Sequence, residues 1–327
     1  MIISRTPLRV SLFGGGSDLR VFYSQTPGFV LSTAVDQFIY ITVNKKFDDL
    51  IRISYSKTEI TDSVDKIEHN IIREALKIVG IEKGIEVVYM GDVPLGSAGT
   101  GLGSSSALAV GVLNALYAYV GKHIDAETLA QQACQIEIET LGHPMGKQDQ
   151  YASAYGGLNA IQFNADESVF VDPVIFTPAT KNELESKFLM FYTGIERLSS
   201  TILGTQQANI EQNFSQISDV VALARQGISA LQNNDIESIG PLLHESWLLK
   251  KRFATGVSNP ALDEIYNAAL NAGASGGKLL GAGGGGFFLF YCEPHLQENV
   301  RRALAHLKER KFNFEPQGSK IIYVNNQ

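Results

Sequence analysis

The chain has 327 residues, 44% of them hydrophobic and 19% charged, a balance that excludes extensive disorder and gives room for two domains with cores of their own. Its formal net charge is −7 with Lys and Arg scattered, which argues against nucleic acid as the main partner and means that a phosphorylated ligand needs a positive pocket drawn from distant residues. The two cysteines, Cys134 and Cys292, provide neither a disulfide framework nor a zinc pattern, no apolar run reaches the roughly 20 residues of a membrane helix, and the N-terminus lacks a secretory pattern, so no membrane contact and a cytoplasmic location are expected.

Residues 2–10 read as a strand, broken at Gly14-Gly15-Gly16; 30–43 and 50–55 carry two more strand patterns. Ile67, Ile71, Ala75 and Ile78 fall at helical spacing up to Gly80. The β-branched and aromatic run 85–90 then enters a Gly/Ser-rich stretch, 92–106, and an apolar helical run over 107–120 leaves it. Glycines between a strand and a helix start can turn backbone N–H groups inward, where the helix adds free donors and a partial positive charge, so this loop suits a phosphate. Asp125 is a plausible N-cap for a helix carrying Leu129, Ala133, Ile136 and Thr140 on one side and ending at Gly142 and Pro144. Strands are expected at 157–163, 168–171 and 189–192, and the charged connector 181–187 marks a domain boundary, giving domains 1–180 and 181–327. Helical periods cover 203–214, 217–231, 236–253 and 262–272. A second glycine concentration, 276–286, precedes the strand 287–291, and a helix over 296–308 and a strand over 320–324 close the chain.

None of the three glycine-rich segments is a Walker loop, and none sets a Gly-x-Gly-x-x-Gly at the start of a strand–helix–strand unit with an acidic residue at the right distance, which disfavours a nicotinamide dehydrogenase. Together, Pro7-Leu8-Arg9, the 13–18 segment, the 94–107 loop and the 278–286 segment resemble the GHMP kinase superfamily, whose signatures Pro-x-Gly-x-Gly-Leu-Gly-Ser-Ser-x-Ala and Lys-x-x-Gly-Ala-Gly-x-Gly-Gly they match in order. Within it the chain is most similar to the D-glycero-D-manno-heptose 7-phosphate kinases, through blocks such as Gly146-Lys147-Gln148-Asp149-Gln150-Tyr151 and Tyr192-Thr193-Gly194 with Arg197. The central loop is about three residues longer than the signature, around Ala98-Gly99-Thr100, which leaves open which glycine meets which phosphate.

The resemblance implies an α+β, two-domain GHMP-kinase-like fold, with a ribosomal-S5-domain-2-like N-terminal domain that binds ATP and a ferredoxin-like C-terminal domain. It implies an ATP- and Mg2+-dependent phosphotransferase that acts on the anomeric hydroxyl of a sugar phosphate. Kinases of an unphosphorylated sugar such as L-fucose, and non-catalytic sugar and ATP sensors, are the alternatives. Asp149 matches the catalytic aspartate and Arg9 its basic partner. The loop residues Gly96, Ser97, Gly99, Gly101, Gly103, Ser104, Ser105 and Ser106 would hold the ATP phosphates. Ser105 (or Ser106, one register along) and Glu137 match the metal ligands; Glu139 is disfavoured because two residues advance a helix by about 200°. Gly15, Gly16, Ser17 and Asp18 match the sugar-binding segment, with Gly283 and Gly284 facing the same substrate. For the second phosphate of the acceptor, Arg197, Lys147, Lys278 and Arg20 are the candidates. His143, His244 and Trp247 are expected to be structural, and the sequence sets no oligomeric state.

Overall fold

In the computed structural model, which describes residues 1–93, 100–195 and 199–325, the first sheet grows from two long neighbours. Strands β1 (Ile2–Phe13) and β2 (Gly28–Lys45) pair antiparallel along most of their lengths. From Thr6 onward β1 is buried without interruption, the mark of a strand covered on both faces. The free edge of β2 is shared by two partners. β3 (Ile51–Ser54), β4 (Thr58–Thr61) and β5 (Ile85–Gly91) extend its second half in the order β5-β3-β4, and β6 (Leu158–Phe163) with β7 (Val169–Pro173) extends its first half. β3 and β5 run parallel, the chain between them passing through the helix Asn70–Val79, which Gly80 ends in the left-handed conformation.

β8 (Phe188–Tyr192), β9 (Ala274–Leu279), β10 (Phe287–Cys292) and β11 (Lys308–Glu309) build a second, antiparallel sheet in the order β11-β8-β10-β9. With helices between β8 and β9 and again between β10 and β11, this is the ferredoxin-like βαββαβ arrangement. β12 (Lys320–Val324) then leaves that sheet and pairs with β1 in the first one. A cut at 180/181 therefore separates the two sheets except for this last strand.

The helices Ser104–Tyr119 and Phe214–Gln232 both pack on β1 and β2, so the second half of the chain contributes to the core of the first. Ser104–Tyr119 is apolar all round and buried from Ser106 to Tyr117, as expected of a helix enclosed by the fold. Most expected elements recur with shifted ends. The charged stretch read as a connector is helical instead, Pro178–Ser186, because Thr177 caps it through Thr180 N and Pro178 opens its first turn. Gly276 and Gly277, at the start of the second glycine concentration, lie in β9, where Gly277 sits against the Leu289 carbonyl of β10. Gly103 stands at the N-cap of the helix Ser104–Tyr119.

Candidate active site

A cleft of about 360 Å³ runs between the two halves. β1 supplies Arg9 and Ser11, two apart and hence on one face of the strand. Asp149 enters from the first turn of the helix Gln148–Tyr155. Arg9 grips it bidentately, Nε donating to Oδ1 and Nη2 to Oδ2, both at 2.7 Å, while Nη1 donates to the Gly101 carbonyl at 2.6 Å. Such a planar fork fixes both partners in direction as well as distance. The pair fits against the start of the helix Ser104–Tyr119 only because Gly103 has no side chain. A Cβ there would stand 3.2 Å from Asp149 Oδ2 and from Arg9 Cγ, and its φ of +73° is strained for other residues.

Gly101 and Gly281 bring two glycine-rich segments together. A Cβ on Gly281 would lie 2.5 Å from the Gly101 Cα, so the loops abut backbone to backbone. Phe287 N donates to Thr100 O at 3.2 Å and continues the contact.

Glu137 is fully buried, and its carboxylate accepts from Ser105 Oγ and Gln150 Nε2, both at 2.6 Å. Burial holds its pKa above the ordinary carboxylate value, and the Asp149 charge adds to this. It sits in a π-helical turn, Gln135–Thr140, that continues the helix Ala126–Cys134; Glu139 in the same turn is exposed. Asp18 is also buried, with a raised pKa from burial and from Asp149, and it accepts from Gly16 N, Gln148 N and Gln148 Nε2 at 3.0–3.2 Å.

Lys278 reaches the cleft from β9, donating to Leu12 O at 2.9 Å; burial, assisted by Arg9, lowers its pKa to about 7. Lys250 also borders the cleft and donates to the Leu279 and Gly281 carbonyls. Sequence reasoning missed Lys250 and Ser11: a helix lysine and a strand serine have no local signal that separates them from ordinary ones.

Of the expected residues, Arg9, Gly15, Gly16, Asp18, Gly101, Gly103, Ser104, Ser105, Asp149 and Lys278 border the cleft. Ser106 lies buried in the helix beneath. Ser17 does not face the cleft: its hydroxyl donates to Gly14 O and accepts from Phe29 N. Gly283 and Gly284 approach the backbone of Val257. Lys147 and Arg20 both pair with Glu167, and Lys147 also lies over the Tyr23 ring. Gly96, Ser97, Gly99 and Arg197 fall outside the described residues. His143 borders the cleft, whereas His244 bonds and stacks on Tyr266 and Trp247 is fully buried in the second core.

Models of the GHMP kinase N-terminal and C-terminal domains match residues 48–157 and 228–309. The D-glycero-alpha-D-manno-heptose 7-phosphate kinase of Campylobacter jejuni is 31% identical over 98% of both chains. The chain belongs to the GHMP kinase family. A crystal structure described as a D-glycero-D-manno-heptose 1-phosphate kinase from Bacteroides thetaiotaomicron superposes with a TM-score of 0.82 at 26% identity, covering all of both chains. The L-fucokinase/L-fucose-1-P guanylyltransferase of Bacteroides fragilis is 26% identical over 93% of this chain, which spans 36% of that longer protein. As a GHMP kinase, the protein is an ATP-dependent phosphotransferase with the two-domain α+β fold of that family. None of its described helices is long and apolar enough to cross a membrane.

Proposed function

We propose that this GHMP kinase transfers the γ-phosphoryl group of ATP to the anomeric hydroxyl of a phosphorylated heptose of the D-glycero-D-manno-heptose 7-phosphate class. The hydroxyl oxygen forms a bond to the γ-phosphorus, the bond to the β,γ-bridging oxygen breaks, and ADP leaves with that electron pair. The observation that carries this reading is the Arg9–Asp149 fork held beside the start of the helix Ser104–Tyr119. It brings a carboxylate for the acceptor hydroxyl next to donors for the phosphates of ATP. Both Asp149 oxygens keep lone pairs beyond those used by Arg9, so the carboxylate can orient the hydroxyl and take its proton as transfer develops. Arg9 holds Asp149 in place, and Gly101, Gly103, Ser104 and Ser105 face the phosphates. Residues 1–180 supply these groups, and 181–327 close the cleft through Lys278, Lys250 and the Gly281 turn.

Mg2+ suits the Ser105–Glu137 pair. Glu137 is a buried carboxylate whose hydrogen-bond partners are neutral hydroxyl and amide groups, so it lacks the compensating positive charge that a buried anion requires. One hydroxyl and one carboxylate, completed by ATP oxygens and water, are the hard ligands that this ion takes, and it would neutralise charge on the phosphates. Asp18, with the Gly15 and Gly16 backbone, holds the sugar, and Lys278 faces the charged end of a ligand in the cleft.

The test is ADP release with Mg2+, ATP and a panel of heptose 7-phosphates, hexose 6-phosphates, L-fucose and free hexoses, with the product examined by phosphorus NMR. A 1,7-bisphosphate is the expected product. Turnover of L-fucose in preference to any sugar phosphate would replace the acceptor assignment, and tight binding of ATP and a sugar without ADP release from any of them would make the protein a sensor.

A further inference from the structure

Gly15 borders the cleft and is glycine for no reason of its own fold. Its φ is outside the left-handed region, and a Cβ built on it would meet nothing closer than Gln148 Nε2 at 3.8 Å and Ser11 Oγ at 3.9 Å. Backbone strain and packing would both accept a side chain, so what its absence preserves is open space in the cleft. Two polar groups flank that space, and each carries a buried oxygen with no hydrogen-bond partner: Ser11 Oγ and Gln148 Oε1. Buried polar atoms in folded proteins are nearly all paired, and leaving one unmade costs more than making it gains.

The orientation of Gln148 is fixed by its neighbour. Its Nε2 donates to Asp18 Oδ1 at 3.0 Å, and its backbone N–H donates to Asp18 Oδ2 at 3.2 Å. Reversing the amide would set two acceptors against each other, so the carboxylate of Asp18 keeps Oε1 as an acceptor awaiting a donor. Ser11 stands two residues beyond Arg9 on the same face of β1, and Gln148 immediately precedes Asp149, so both reach the cleft from the chain segments that hold the Arg9–Asp149 fork.

We propose that Ser11 and Gln148 are specificity-determining residues that receive neighbouring hydroxyl groups of the acceptor sugar over the bare backbone of Gly15. The inference rests on the sugar-kinase reading and deepens it. The preferred ligand is a polyol with hydroxyl donors at this point, and an otherwise identical sugar lacking one of these hydroxyls leaves the corresponding oxygen unpaired. Sites built around such polar groups discriminate by far more than apolar pockets do.

The experiment uses the full-length protein with D-glycero-D-manno-heptose 7-phosphate and its monodeoxy analogues, and compares the wild type with Ser11→Ala and Gln148→Met. Turnover is followed by ADP release and acceptor binding by calorimetry, with thermal melting to confirm that both variants fold. The expected result is a fall of about 10- to 100-fold in kcat/KM for the acceptor in each variant, with the KM for ATP within about twofold. One of the monodeoxy analogues should show almost no further loss in the corresponding variant, because the contact it lacks has already been removed. If the wild type phosphorylates the heptose and both folded variants keep acceptor kcat/KM within about threefold, the inference is overturned while the kinase reading stands. Equal losses on every deoxy analogue would also overturn it. A wild type that neither binds nor phosphorylates any sugar overturns both.

Discussion

Asp149 and Glu137 both border the helix start at Gly103–Ser105, yet the protein surrounds the two carboxylates in opposite ways. Asp149 is gripped at both oxygens by a guanidinium that is itself almost fully buried. Glu137 is more deeply buried but is given a hydroxyl and an amide, and burial raises its pKa. The difference teaches what each group is prepared to meet. A carboxylate already matched by a cation is fixed in direction and suits a hydroxyl, whereas one surrounded by neutral donors suits a cation from outside the chain.

The largest effect is expected on breaking the matched pair. Asp149→Asn should lower kcat by about 10³-fold, measured by ADP release at saturating ATP, since it removes the proton acceptor and one arm of the Arg9 fork; turnover within a few-fold of the wild type would rule that role out. Next, Glu137→Gln should raise the magnesium needed for half-maximal rate by about 100-fold, a ligand mattering at least as much as the outer partners whose loss costs 10- to 100-fold. The same variant should lose the rise in melting temperature that Mg2+ with ATP gives the wild type, and a retained rise would move the metal elsewhere.

Gly103→Ala places a methyl against both members of the fork. A fall of about 10-fold in kcat is expected from this misplacement, with the Mg2+ dependence unchanged, and about 1 kcal/mol of stability should be lost to the left-handed φ. If the magnesium dependence shifted as much as kcat, the two carboxylates would not be separable in this way. The last prediction concerns pH and is read in stability instead of turnover. Lys278 has a folded pKa of about 7 against an ordinary 10.5, so the unfolded chain binds its proton more tightly. Its burial penalty is therefore fully present below pH 7 and relieved as pH rises toward 10.5. Denaturant titrations should show Lys278→Met flattening the gain in stability across that window. Glu137 works in the other direction: without metal, its contribution falls as pH rises above its ordinary 4.5.

Much of this architecture can be read in the chain itself. The final strand has the bounds read for it, Lys320–Val324, Asp125 caps its helix through Thr128 N at 2.7 Å, and Trp247 lies in the core as its leucine-rich surroundings suggest. The preference for Glu137 comes from the motif it matches, the angular step of a helix only setting Glu139 on a different face, and in the fold one is buried while the other is exposed. What escaped detection depends on chain segments far apart in sequence. The destination of β12 is set by the free edge of β1, some 300 residues earlier. The helix at Pro178–Ser186 was masked by its charges, because its single buried apolar face holds little more than Leu184. Lys147, placed by its motif beside Asp149, is drawn away by Glu167, whose position no local pattern ties to it.

The pairing of β12 with β1 also has a bearing on how the molecule is made. Met1 N donates to Asn325 O, and Ile2 lies opposite Val324, so β1 has one neighbour that is translated some 300 residues after it. At typical synthesis rates of about 5–20 residues per second, that edge of β1 stays open for some tens of seconds while the segment between the two strands is still being translated. During that interval the nascent chain exposes a strand edge able to recruit any extended segment nearby, and the arrival of β12 is the event that closes it.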